Sequence, residues 1–584
     1  MHIQLSEDSK YWECIFEYRP DWVTAIKKIG GAKFVPKDKG GPKWRIPATV
    51  DSHLSVGEYF HAEDLQWEPS ILEEIADRKR KSALLKSMST AETAELQMLP
   101  ELNPKLHAWV STRGYQLADI AYMAAAPNPL NTNQPGTGKT VETIASIYEA
   151  GLEQGPVLVV APATSLYSVW ATEVRKWVAE DVPVVTVGQP GAARKRAIND
   201  ILVTARKGDP CWVIVNPEAI KLNASGGSPF PELYKVSWNV VVLDEFHRMG
   251  LSNNKTLAYK SLKKIKAEKR IALSGTPMGG APIKLWAVLN FLYPEEFSSK
   301  WAFAGNWLTV FDNGFGKVIG DVKKHRREEF SEMMNEYSVR RLKKDIMQWL
   351  PNKQYVERWV ELSGAQKKQY DEWELNGEIE IENESIDAIT ILAMYTRMRQ
   401  FAISKQTVEV INEESFRIKP TEDSAKLPAL WEILADRGIG DGSGPAGDPV
   451  IVFSQFTQVI DMVEAWLGKK GVPTRKITGH VTGPERATAI EEFQSGVVDV
   501  MLMNTNAGGV AITLDRSNTV VFLDETWNPD DQEQAEDRAH RGNKTSQVIV
   551  YKILAKDTVD ERIHSGNLSK ESINQRVLDH RHNS

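Results

Sequence analysis

Short apolar runs without polar interruption recur along two stretches of the chain. The first stretch holds Val157-Leu158-Val159-Val160, Val213-Ile214-Val215, Val240-Val241-Val242-Leu243 and Arg270-Ile271-Ala272-Leu273. The second holds Val450-Ile451-Val452-Phe453, Val500-Met501-Leu502-Met503, Val520-Val521-Phe522-Leu523 and Val548-Ile549-Val550-Tyr551. A strand with one wet face alternates apolar and polar residues, whereas a continuous run fits a parallel strand covered by helices on both sides. Amphipathic segments separate the runs, so the pattern predicts an α/β chain with two parallel-sheet lobes. Helical insertions are expected near 300–340 and 365–425. The acidic residues from Glu372 to Asp387 read as a solvated helix face, and the glycine-rich segment 438–447 as a flexible joint.

Ahead of the lobes, residues 1–60 are rich in aromatics (Tyr11, Trp12, Phe16, Tyr18, Trp22, Phe34, Trp44), with Gly30-Gly31 and Gly40-Gly41 as turns between short strands. This unit is expected to be a small N-terminal α+β accessory domain. Residues 61–99, dense in Glu, Lys, Arg, Ala and Leu, predict a helical connector. A first lobe over 100–345, a second over 346–565 and a tail over 566–584 complete the expected division.

Length agrees with several domains, because 584 residues exceed what one core can organise. With 42% hydrophobic and 26% charged residues, wholesale disorder is excluded. No apolar run approaches the roughly 18 residues of a membrane helix, and Met1 to Asp8 lack the basic-then-apolar order of a secretory signal. Cys14 and Cys211 alone build neither a disulfide framework nor a cysteine-rich zinc site. A soluble, intracellular, cytoplasmic protein without a membrane partner is expected, nucleoid-associated if its cell is bacterial or a viral host. The formal charge of −7 argues against a uniformly basic nucleic-acid coat. Local rows matter more than the sum: Lys263, Lys264, Lys266, Lys269 and Arg270; Lys323, Lys324, Arg326 and Arg327; Arg340, Arg341, Lys343 and Lys344.

The sharpest chemical signal is Asn133-Gln134-Pro135-Gly136-Thr137-Gly138-Lys139-Thr140, opening a helix. Small residues let backbone N–H groups curl around phosphate oxygens. Lys139 can reach the β- and γ-phosphates, and the Thr140 hydroxyl can ligate Mg²⁺. Asp244-Glu245-Phe246-His247 follows the run 240–243, at a strand end where doubly wound sheets place ligand groups. Asp244 suits the water shell of Mg²⁺ and Glu245 suits polarising the attacking water. The blander account, a chance turn and two surface acids, weakens when both pieces occur in one chain. Arg538 and Arg541 lie three apart, hence on one face if that segment is helical. ATP and Mg²⁺ are thus the expected cofactors.

The tetrad 244–247 matches the Asp-Glu-x-His box of superfamily-two helicases, and the wider set resembles their Swi/Snf branch of double-stranded-DNA translocases. Arg113-Gly114-Tyr115-Gln116 resembles the adenine-reading element, with Gln116 for the base edge. Leu273-Ser274-Gly275-Thr276-Pro277 is similar to the coupling motif, and Arg340 to Asp345 to the passage between lobes. Phe453-Ser454-Gln455-Phe456, Thr505 to Ala511, Asp524 to Pro529 and Gln534 to Arg541 resemble the later motifs. The resemblance implies two RecA-like lobes, coupling roles for Ser274, Gly275, Thr276 and Gln534, a phosphate contact at Thr505, and Arg538 and Arg541 as fingers completing the ATP site. Asn133 stands where this branch commonly has Asp, Ala511 and Thr513 where it has Gly and Asn, and Gly542-Asn543-Lys544 where it has Ile-Gly-Gln. The aromatic and basic segment from Trp22 through the Lys43-Trp44-Arg45 turn loosely resembles the HARP module of annealing helicases. This implies forked DNA as a partner beside duplex, with Lys43 and Arg45 as nucleic-acid contacts and Trp44 stacking on an unpaired base. The implied function is a monomeric ATP-dependent translocase on double-stranded DNA. A strand-separating helicase of DNA or RNA and a nucleotide-gated clamp remain the alternatives, and protein partners are unknown.

Overall fold

The computed structural model describes residues 1–584 apart from 8–10, 30, 38–40, 49, 164, 188–191, 223–225, 250–253, 279–280, 313, 315, 363, 377, 382–383, 388–390, 413–414, 441–446, 480, 482, 506–511, 513, 541–543 and 579–584. It divides into two compact units, one built mainly of Met1–Arg341 and the other of Leu342–Gln575. The break falls after Arg341, slightly ahead of the expected position.

The first unit contains a seven-stranded parallel sheet. Its strands, in spatial order, are Ser338–Val339, Leu130–Asn131, Lys266–Leu273, Ser237–Asp244, Pro156–Val160, Cys211–Val215 and Val184–Val187. The second unit contains a six-stranded parallel sheet ordered Gln354–Val360, Ile549–Ala555, Thr519–Phe522, Val450–Ser454, Val500–Asn504 and Thr474–Ile477. Here the cause of the uninterrupted apolar runs is visible. Val450 and Val452 join one buried cluster, while Ile451 and Phe453 join the cluster on the opposite face. Successive side chains point to opposite faces, so a strand buried on both must be apolar at every position.

Two expectations need correction. The insertions are not purely helical. The first places the hairpin Leu308–Asp312/Lys317–Val322 between the helices Lys300–Trp307 and Arg327–Tyr337. The second carries the hairpins Glu378–Ile381/Glu384–Asp387 and Gln406–Asn412/Ser415–Pro420. The acidic stretch therefore leaves its helix at Asn376 and continues as a hairpin.

The N-terminal unit also runs past residue 60. Strand Gln66–Trp67 pairs beside His2–Leu5 in a five-stranded sheet. Ile71 and Ile75, at the start of the helix Pro69–Thr90, belong to the same buried core as Trp12, Ile26 and Ile46. The connector is thus partly core. Its later turns meet the first lobe, where Ser82 Oγ donates to Glu336 Oε2 at 2.5 Å.

Candidate nucleotide site

The glycine-rich loop joins the strand Leu130–Asn131 to the helix Lys139–Glu149. Gly136 and Gly138 have φ of 84° and 110°, conformations that disfavour any side chain. A Cβ on Gly138 would lie 2.3 Å from Gln116 Nε2, so the position admits only glycine. Gln134, Pro135 and Thr140 are partly exposed and Gly136 is open, whereas Thr137 is buried. The Lys139 ammonium donates to the carbonyls of Asn133 at 2.8 Å and Gln134 at 3.3 Å. Burial lowers its pKa, opposed by the nearby charges of Glu245, Asp244 and Glu142.

Behind the loop lies a buried polar group. Glu142 is fully buried and accepts from Asn131 Nδ2 at 2.9 Å and Asn133 Nδ2 at 3.1 Å. Burial first, then the Asp119 carboxylate, push its carboxyl well above the usual range. Asp119 in turn pairs with Arg341 at 2.8 Å. Gln116 belongs to this set, donating to Glu142 Oε1 at 3.4 Å, and is 1% exposed. Gln116 thus packs against the loop-supporting acid Glu142.

Asp244 ends the strand Ser237–Asp244, and its Oδ2 accepts from Trp170 Nε1 at 2.9 Å and Ser165 Oγ at 3.3 Å. Burial, then the adjacent Glu245 charge, push its carboxyl up to about 6. Glu245 adopts φ 49°, a left-handed conformation costing about 1–3 kcal/mol for a residue with a side chain. Such strain collects at functional sites because the surroundings over-determine the backbone. His247 Nδ1 lies 2.9 Å from Ser274 Oγ and 3.4 Å from Glu245 Oε2. Ser274 Oγ also accepts from Thr276 N at 3.0 Å, and Ser274 N donates to Asn131 O at 3.0 Å. Arg340 Nη1 donates to Thr132 O at 2.7 Å and Gly275 O at 3.4 Å. The acidic tetrad, the 274–276 turn and the loop-bearing strand are therefore one hydrogen-bonded assembly. Thr140 and Asp244 supply the hard oxygen donors that Mg²⁺ takes, and both Asp244 hydrogen bonds fall on one oxygen, so the donor set fits the ion. Among the described residues no group of three or more His, Cys, Asp or Glu forms a separate metal cluster.

In the second unit Arg538 is 2% exposed, with its guanidinium carbon 5.6 Å from the Phe453 ring centroid and Nη1 3.9 Å from Met503 Sδ. The helix Pro529–Glu536 carries Gln534, which is partly exposed, and stops two residues before Arg538. The one-helix-face geometry for the arginine pair is thereby corrected, and Arg541 lies outside the described residues. The acids around Arg538 are buried and paired. Lys353 binds Glu536 at 2.8 Å and Asp537 at 3.0 Å, and Lys343 binds Asp537 at 2.9 Å. They clamp the turn that carries the arginine.

The proposed nucleic-acid contacts fare differently. Thr505 is 2% exposed, and residues 506–511 lie outside the described residues. Lys43 and Arg45 both pair with buried Glu13, at 2.6 and 2.7 Å. Burial raises the Glu13 pKa, but hydrogen bonds from those two cations outweigh it and hold the carboxyl low. These two cations brace the small sheet through Glu13. Trp44 packs on Phe34 at 5.4 Å between centroids, and Phe34 is 53% exposed. In the row 340–344, Arg340, Arg341 and Lys343 are buried structural groups, so that row is no solvated stripe. Trp170, Ser165 and Asp119 escaped the sequence reading. The one available signal was Glu142, an acid in a helix whose residues 141–148 are all buried.

Comparison with known proteins agrees with this geometry. Residues 115–414 match the SNF2-related domain and residues 426–543 the helicase conserved C-terminal domain. The chain belongs to the SNF2-related family of helicase-like ATPases. The "Chromodomain-helicase-DNA-binding protein 3 homolog" of Caenorhabditis elegans is 27% identical over 526 residues, covering 84% of this chain and 28% of that protein. The "Chromodomain-helicase-DNA-binding protein 1-like" of Mus musculus is 28% identical over 494 residues, covering 82% of this chain and 52% of that protein. This SNF2-related chain thus spans about half or less of these relatives. The Sulfolobus solfataricus SWI2/SNF2 ATPase core in complex with double-stranded DNA is similar at 23% identity, covering 80% of this chain and 96% of that one, with a TM-score of 0.35. No described helix is long and apolar enough to cross a membrane.

Proposed function

We propose that this protein is an ATP-dependent translocase on double-stranded DNA that remodels or reanneals structures such as forks. The observation that carries the reading is the hydrogen-bonded assembly in which His247, beside Glu245, meets the Ser274 turn, and that turn meets the strand leading into the lysine-bearing loop. A rigid set of this kind preorganises charge where phosphoryl transfer develops it. Lys139 leaves the Asn133 and Gln134 carbonyls for the β- and γ-phosphates, Glu245 orients the attacking water, and Arg538 and Arg541 neutralise the transferring group. Thr140 and Asp244 would hold Mg²⁺, which would supply charge screening of the phosphate oxygens. His247 passes the state of Glu245 to the Ser274–Thr276 turn. Lys139 and Arg538 belong to different units, and in this reading hydrolysis is coupled to their closure, with closure alternating with release becoming stepping along DNA.

DNA as the track follows from family membership and from relatives whose names state DNA binding. Fork preference rests on the N-terminal unit, where Phe34 is exposed next to exposed Lys33 in the chain, and Lys27 and Lys28 of the same unit are also exposed. An aromatic ring beside cations suits an unpaired base next to phosphates. Phosphate release measured without DNA and with duplex, single-stranded or forked DNA tests the reading. Duplex is expected to raise turnover at least about tenfold, forks further, and Phe34→Ala to remove only the fork increment. Stimulation by single strands alone indicates a strand-tracking helicase, and negligible turnover with every DNA indicates a gated clamp. Apparent affinity for duplex should fall as salt rises, since phosphate contacts release counterions.

A further inference from the structure

Asn133 occupies a place where two neighbouring acids each need a hydrogen from the same atom. Its Nδ2 donates to Asp119 Oδ2 at 2.7 Å and to Glu142 Oε2 at 3.1 Å. Arg341 Nε donates to the other Asp119 oxygen at 2.8 Å. Asn131 Nδ2 and Gln116 Nε2 donate to Glu142 at 2.9 and 3.4 Å. Gln116 is 1% exposed, and Asp119, Asn131, Asn133 and Glu142 are fully buried. Buried carboxylates are costly unless donors reach them. A primary amide carries two hydrogens on one nitrogen and matches this demand, whereas a carboxylate of the same shape carries none when ionised. An aspartate here would set a third acid against Asp119 and Glu142, the latter with its carboxyl already pushed toward its neutral form. Asparagine at a position where the branch commonly has Asp therefore fits the acid that the following helix already supplies, Glu142.

The same residue also controls the loop's catalytic lysine. The Asn133 N–H donates to Asn131 Oδ1 at 3.0 Å, and its carbonyl accepts the Lys139 ammonium at 2.8 Å. Its side chain ties the helices Gly114–Ala125 and Lys139–Glu149 together, while its main chain fixes where the loop leaves the strand and where Lys139 rests.

We propose that Asn133 is the positioning residue of this nucleotide loop: its amide clasps Asp119 to Glu142, and through that clasp places Lys139 for ATP. The inference rests on the ATP-binding reading above. The test uses the full chain as wild type, Asn133→Asp, Glu142→Gln and the Asn133→Asp/Glu142→Gln double variant. Its readouts are ATP KM, kcat and the rise in thermal midpoint on adding Mg-ATP. A hydrogen bond to a charged group contributes about 1.5–3 kcal/mol, so Asn133→Asp is expected to raise ATP KM about 10- to 100-fold with kcat within a few-fold. Adding Glu142→Gln turns one carboxylate pair into an N–H···O contact and is expected to recover about tenfold of that loss. Asn133→Asp with wild-type KM, or a double variant no better than the single, overturns the proposal. If Asn133→Asp does not fold, recovery of folding in the double variant supports the clasp and its absence contradicts it. A wild-type protein without any Mg-ATP-induced shift overturns the ATP reading and this inference with it.

Discussion

Arg538→Ala is expected to slow DNA-stimulated ATP turnover by about 10³–10⁵-fold, the range for an arginine supplied from outside a phosphate-binding loop. That range corresponds to about 4–7 kcal/mol of barrier. Nucleotide affinity should change only a few-fold, because Lys139, Thr140 and the buried support of the loop (Asp119, Asn131, Asn133, Glu142) belong to the other unit. The guanidinium packs over Phe453 near Met503, so the alanine variant also loses packing. Arg538→Lys serves as the control: it keeps most of the stem and the charge but not the planar fork that matches a phosphate. Both variants should hydrolyse slowly while retaining a wild-type shift in thermal midpoint with Mg-ATP. Turnover within threefold of wild type in Arg538→Ala removes the finger role.

Glu245→Gln is expected to lower turnover by about 10²–10⁴-fold, the usual contribution of a positioned proton acceptor. The amide keeps the shape of the side chain at its strained backbone position but cannot accept the proton of the attacking water. Asp244 is held up partly by the Glu245 charge, so neutralising that neighbour makes Asp244 a more willing anion and should not weaken Mg-ATP binding. Quench-flow measurement of the chemical step, beside equilibrium binding of a fluorescent ATP, separates the two effects. Weakened binding with an unchanged chemical step contradicts this assignment.

Much of the fold was legible because both central sheets are covered on both faces, which forces continuous apolar strands such as Val240–Leu243 and Val450–Phe453. The edge strand Gln354–Val360 was not legible, since Gln354, Tyr355, Glu357, Arg358 and Trp359 are exposed and the run carries no apolar signature. The hairpins within the insertions were read as helix because the charge around them outweighed a short alternation, visible in Glu378-Ile379-Glu380-Ile381 and Phe416-Arg417-Ile418-Lys419. The phosphate loop and the acidic tetrad were legible because they are local: neighbouring residues make one site. Their supports were not. Trp170 reaches Asp244 across 74 residues of chain, and Arg341 reaches Asp119 across 222. The partners of Gln116, Lys43 and Arg45 were not legible for a related reason. Each carries the right functional group, but a buried acid, Glu142 or Glu13, claims it.

Lys139 and Arg538 are proposed to act on one nucleotide, and the distance between labels on the two lobes tests this most directly. Cys14 and Cys211 are buried, so single cysteines introduced at exposed Lys207 and Lys469 can carry a fluorescent donor and acceptor. In the Glu245→Gln background, Mg-ATP with duplex DNA is expected to bring the labels to a shorter, long-lived distance that Arg538→Ala fails to hold. In the wild-type background the distance should shorten and relax with each turnover. Steady ATP hydrolysis at an unchanging label distance would contradict the central claim.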